Sequence, residues 1–107
     1  MRSVLEEVVG ALSDALSVPV YPYNPQERPD EFVVVDPVGG MSTVDALHPQ
    51  YAVQAWSTDY LRAESIVREC CDALKGMGGT PFADPVPLGY DGRHFWWQTT
   101  YTIHALW

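Results

Sequence analysis

The sequence predicts an α+β fold, with an antiparallel β-sheet of about four strands and two amphipathic helices packed on one face. Three observations carry this. Apolar residues recur at helical spacing over residues 3–16 and 58–75, β-branched runs occupy 31–38 and 51–57, and the closing stretch "HFWWQTTYTIHALW" alternates with a period of two. With 107 residues the chain can bury one core but not two, so residues 1–107 are read as a single domain.

In the first helix Leu5, Val8, Leu12 and Leu16 share a face, while Glu6, Glu7, Ser13 and Asp14 lie elsewhere. Ser3 followed by Glu6 matches a capping box, in which each side chain satisfies a free backbone N–H. Prolines at 19, 22, 25 and 29 then forbid a helix, leaving a short strand near 18–23 and a turn.

The run "FVVVDPVGG" poses a choice between a phosphate-binding loop and a hairpin. A phosphate loop needs a helix directly after its glycines and usually a basic residue. Here Gly39 and Gly40 lead into a polar connection that contains Pro49 and no Lys or Arg, so the hairpin is preferred. Its partner strand is "YAVQAWS", and the connection over 39–48 is longer than a hairpin needs, as expected of a loop that touches something.

The second helix presents a stripe of Tyr60, Ala63, Val67, Cys70, Leu74 and Met77, widened by Ile66 and Cys71. Ser57, Thr58 and Asp59 offer caps at its start, and Gly76, Gly78 and Gly79 stop it. The proline-rich stretch 81–87 predicts a loop with at most a short strand near 86–90, and Asp91-Gly92 a turn. In the last strand Phe95, Trp97, Thr99, Tyr101 and Ile103 form the apolar face, and His94, Trp96, Gln98, Thr100, Thr102 and His104 the mostly polar one.

Hydrophobic residues at 47% against 19% charged mark a globular chain. The net charge of -8 has the wrong sign for neutralising phosphates, which argues against stable DNA or RNA binding. Glu6, Glu7 and Asp14 interrupt the N-terminal apolar pattern, so it is expected to be neither signal peptide nor membrane span, and the protein to be made in the cytoplasm.

Vicinal Cys70 and Cys71 point about 100° apart on a helix and are expected to be reduced structural thiols. His94 and His104 would stand about 33 Å apart on an extended strand, too far to share a metal ion, and no metal or cofactor site is predicted. No nucleophile elbow is present, and Asp36, Asp45, Asp84 and Asp91 read as turn residues, so no catalytic residue is predicted. Trp97 belongs to the core. Trp96, on the polar face, must be covered either by its own chain or by a partner, and Trp56 poses the same question.

The helix "VLEEVVGALSDAL", the strand "FVVVDPVGG", the unit "YAVQAWSTDYLRAESIVRECCDAL" and the strand "HFWWQTTYTIHAL" together resemble the tail terminator, or tail-completion, proteins of long-tailed phages. The step from Trp56 through Ser57 to Ala63 carries the most family-like spacing, whereas 24–31 and 81–87 do not align. The resemblance implies a virion structural protein without enzymatic activity. In that family, subunits form a ring, hexameric in the typical member, which caps the tail tube, ends its polymerisation and joins the head connector. DNA passes through without specific binding. Transferred to this chain, the resemblance makes Gly39, Gly40, Met41, Asp45, Leu47 and His48 candidate tube contacts, and the strand edges with Trp56, His94 and Trp96 candidate subunit contacts. The expected partners are therefore copies of itself, the tail tube protein and the head-tail connector protein, in the neck region of the virion. Alternatives are another neck or minor tail protein, a small-molecule site lined by Trp96, His94 and Tyr90, or an acidic binding module.

Overall fold

The computed structural model describes residues 3–42 and 46–106. In chain order the elements are α1 (Val4–Ala15), β1 (Val20–Tyr21), β2 (Glu31–Ser42), β3 (Ala46–Ser57), α2 (Tyr60–Gly76), β4 (Thr80–Tyr90), β5 (Phe95–Thr102) and β6 (Ala105–Leu106). The strands form one sheet in the order β1-β2-β3-β5-β4, with β6 also on β3. The α+β class holds, with both helices on one face: Val8 and Leu12 of α1 and Ala63, Ile66, Val67, Cys70 and Leu74 of α2 share a core with Val33, Val35, Val53, Ala55, Trp97 and Tyr101.

Local chemistry fixes the helix ends. The Ser3 hydroxyl accepts the Glu6 N–H at 3.1 Å, and the Asp59 carboxylate accepts the Arg62 N–H at 2.9 Å, each satisfying a backbone donor that the first helical turn leaves free. Past α2, Gly78 takes a φ of +86°, and the Gly79 N–H returns to the Leu74 carbonyl at 2.8 Å. A Cβ on Gly79 would meet that carbonyl at 2.8 Å and Ile103 at 3.0 Å, so the chain can leave the helix this tightly only through glycine.

Four expectations need correction. The sheet is mixed rather than wholly antiparallel, because β1 pairs parallel to β2 through Val20↔Val33 and Tyr21↔Val34. A parallel pair requires a crossover. The prolines that deny residues 22–30 a helix make this crossover irregular, and it runs over the helix-free face of the sheet, where the Pro29 carbonyl meets His94 and Arg28 lies over Trp56.

The 39–48 connection is mostly strand: β2 and β3 stay paired out to Ser42↔Leu47, leaving only 43–45 between them. A register shift between Pro37 and Gly39, with Gly39 at φ +131°, lets β2 continue past its proline.

Residues 80–90, expected to be mainly loop, form an 11-residue strand. Prolines 81, 85 and 87 are tolerated because β4 is an edge, paired only with β5 and interrupted by three register shifts. Finally, the closing strand is interrupted at Ile103 and His104, although it stays on β3 in unchanged register from Gln50↔Thr102 to Leu47↔Ala105, the Ile103 N–H donating to the Pro49 carbonyl at 2.9 Å. Up to Thr102 the predicted alternation stands, with Trp97, Thr99 and Tyr101 buried toward the helices.

Candidate functional site

On the helix-free face β2, β3 and β5 bring Phe32, Trp56 and Trp96 into register, Phe32 opposite Trp56 and Trp56 opposite Trp96. Their rings stack at centroid distances of 5.4 Å (Phe32–Trp56) and 4.3 Å (Trp56–Trp96). The guanidinium of Arg28 lies 4.9 Å above the Trp56 ring, a cation–π contact. The indole N–H of Trp56 donates to Gln54 Oε1 at 3.1 Å, and Gln54 Nε2 donates to Gln98 Oε1 at 2.9 Å. Gly89 on β4 closes over the outer end of the row.

His94, assigned to the polar face, is buried and set edge-on to Phe32 and Trp56, its Nε2 bonded to the Pro29 carbonyl at 2.8 Å. Asp91 anchors this corner. Its Oδ1 accepts the backbone N–H groups of His94 at 2.7 Å and Arg93 at 3.0 Å, and its Oδ2 takes Arg28 at 2.8 Å. These bonds hold the Asp91 carboxyl below the usual carboxylate range, the His94 N–H contributing most, then that of Arg93.

The structure therefore brings Trp56, Trp96 and His94 together and covers them from within: Trp56 is 4% exposed and only Trp96 remains half-buried. As subunit contacts, Trp56 and His94 are corrected to intramolecular packing, because the 22–30 crossover occupies the space a partner would need. Tyr90 does not join them. It packs on Phe95 at 4.4 Å, so the three residues offered as a small-molecule site do not line one cavity.

Of the candidate tube contacts, Gly39, Gly40, Met41, Leu47 and His48 lie on the outer part of the β2–β3 hairpin, and Asp45 lies outside the described residues. The connection of this outer part to the rest of the sheet runs through Gln50↔Thr102 and β6.

Two features escaped the sequence reading. Along the β4 edge Phe82, Val86, Leu88 and Tyr90 are all exposed, Phe82 at 68%. They fall at even positions, but the register shifts break the alternation, Val86 lying opposite Gln98 and Tyr90 opposite Phe95 on the other face, so they line the border of the sheet rather than one face of it. Second, His48 meets His104, Nδ1 to Nδ1 at 2.9 Å, a pairing between residues 56 positions apart that no spacing rule reveals.

Cys70 and Cys71 are buried free thiols; burial pushes the Cys70 thiol well up, away from the reactive thiolate form. Among the described residues no group of three or more His, Cys, Asp or Glu is placed to hold a metal ion, and no helix is long and apolar enough to cross a membrane. No protein-family model matches the chain, and no curated protein matches it.

Proposed function

We propose that this chain is a structural subunit that assembles with copies of itself into a ring closing a phage tail tube, in the manner of the tail terminators it resembles. The observation that carries the reading is the β4 edge, where Phe82, Val86, Leu88 and Tyr90 place large apolar side chains in water along one border of the sheet. An apolar strip of this kind marks a contact surface, since a lone soluble domain gains nothing by leaving it bare.

The edge also has a polarity that suits a ring. β4 bounds the sheet on one side, and on the other β1 covers β2 only at Val33 and Val34, so the two borders of one sheet are chemically different. A contact between unlike surfaces of successive copies is heterologous and closes into a cycle when its rotation permits. The outer β2–β3 hairpin is then the element that reaches the tube. The net charge of -8 fits a lumen that lets DNA pass, because an acidic wall repels phosphates within a Debye length of about 8 Å at physiological salt. A sibling role as another neck protein would use the same strip for a different neighbour.

The test is negative-stain microscopy of the protein mixed with its cognate tail tubes, beside a Phe82→Ser/Leu88→Ser variant. Capped tubes of fixed length are expected with the native protein. The variant, whose altered side chains are exposed in the monomer, should fold normally and leave tubes open. Tubes that continue to elongate with the native protein defeat the reading, and so does full capping by the variant.

A further inference from the structure

We propose that His48 and His104 form a two-imidazole site for a divalent transition metal of tetragonal preference, copper(II) or nickel(II). This is independent of the assembly reading. The two Nδ1 atoms stand 2.9 Å apart, with ring planes inclined at 70°. Two imidazole nitrogens bound at about 2.0–2.1 Å to one ion lie about 2.9 Å apart when they subtend a right angle, and about 3.4 Å apart at the tetrahedral angle. The observed spacing, set in the metal-free protein by the hydrogen bond between the rings, matches the right-angled one, and adjacent positions at a right angle are what square-planar and tetragonal ions require.

The surroundings prepare the rings for this role. His104 Nε2 lies 2.9 Å from Thr80 Oγ1. With the hydroxyl oxygen accepting the Nε2–H proton, the lone pair of His104 resides on Nδ1, which faces His48; a second-sphere acceptor fixes the orientation and tautomer of metal-binding histidines in this way. With that tautomer, the His48 Nδ1–H donates to the His104 lone pair in the metal-free protein. When the ion binds, this proton moves to His48 Nε2 through solvent, so each ring offers one lone pair and the pair keeps its net charge.

The backbone brings the two histidines side by side without a metal. His48 lies within β3, opposite Met41. His104 sits in the break between β5 and β6, pinned on one side by the Ile103 N–H to the Pro49 carbonyl at 2.9 Å and on the other by the pairing of Ala105 with Leu47. Such preorganisation lowers the ordering cost of binding. Because no His, Cys, Asp or Glu among the described residues joins them as a third ligand, water is proposed to complete the coordination. The site is therefore exchangeable rather than a structural centre, and it would clip the outer part of β3 to the junction between β5 and β6.

Isothermal titration of the full chain with nickel(II), copper(II) and zinc(II) tests this, using His48→Ala, His104→Ala and Thr80→Val. We expect one ion per chain with a dissociation constant below about 100 μM. Copper should bind most tightly and nickel more tightly than zinc. Each histidine variant should weaken binding at least about tenfold, and Thr80→Val by about 10-fold or more while both rings remain. Electron paramagnetic resonance of the copper complex should show two coupled imidazole nitrogens, reduced to one in either histidine variant. Circular dichroism verifies that the variants fold. Binding kept within about twofold in His48→Ala or His104→Ala, zinc preferred over copper, or no binding below about 100 μM would overturn the proposal.

Discussion

Replacing Trp56 by alanine probes how much of this domain rests on the helix-free face. The residue is 4% exposed and stacked on both sides, by Phe32 at 5.4 Å and Trp96 at 4.3 Å, with Arg28 4.9 Å above it. Emptying a buried Trp site costs about 3–5 kcal/mol. Aromatic pairing and the cation–π contact push this site toward the upper half of that range. The lost N–H to Gln54 adds little, since Gln54 is only part-buried and water can replace the donor. The expected loss is thus about 4 kcal/mol, a large share of the roughly 5–15 kcal/mol that stabilises a domain. Urea denaturation followed by far-ultraviolet circular dichroism measures it without relying on the removed fluorophore. Trp56→Phe, which keeps a ring in the stack, should lose less than half as much. A Trp56→Ala cost under about 1.5 kcal/mol, the scale of a single aromatic pair, would refute the view that this face is a second core. Equal costs for the two variants would refute the stacking argument.

Two further outcomes follow from single contacts. Gly89→Ala would set a Cβ 2.5 Å from Trp96 Cζ2, and with the Trp96 ring backed by Trp56 the expected destabilisation is about 1–3 kcal/mol; Gly76→Ala, with nothing within 4 Å of its Cβ, should be neutral or gain up to about 1 kcal/mol, and equal effects in urea denaturation would contradict the contact. The Asp91 carboxyl, depressed mainly by the His94 N–H and then by that of Arg93, contributes stability that is intact above the unfolded value of about 3.9 and is lost as pH falls through the lower folded value; carboxyl NMR should place its midpoint below 3.9, and a midpoint at or above 3.9 would contradict the turn geometry.

The elements legible in the sequence were those whose signal is local. The Ser3 cap, the α2 stripe, the Asp91-Gly92 turn and the alternation of 95–102 each follow from side chains a few residues apart, and each stands in the structure. What could not be read depends on contacts distant in sequence. Prolines 81, 85 and 87 argue against a strand until β4 is known to be an edge, where a missing N–H can face outward. Prolines 22, 25 and 29 reveal only that no helix forms, whereas the path of the crossover is set by Arg28 and Pro29 meeting Asp91, Trp56 and His94 more than 25 positions away. Trp96 was therefore undecidable as sequence: its polar-face neighbours are clear, but the crossover and Gly89 that cover the row are not.

The same prolines constrain how the β4 edge can be used. A bare strand edge ordinarily recruits a partner by extending the hydrogen-bond ladder. Here prolines remove donors at 81, 85 and 87, and register shifts between Pro81 and Ala83, Ala83 and Val86, and Pro87 and Gly89 break the spacing a ladder requires. The β2 border is interrupted likewise by Pro37 and the shift before Gly39. Backbone pairing is thereby disfavoured at both borders, while Phe82, Val86, Leu88 and Tyr90 stay available. These side chains would seat in a neighbour's surface as anchors, which admits a partner of matching shape and excludes the indiscriminate strand addition that leads to aggregation. The assembly proposed above would need that combination of a blunted backbone and an exposed apolar contact.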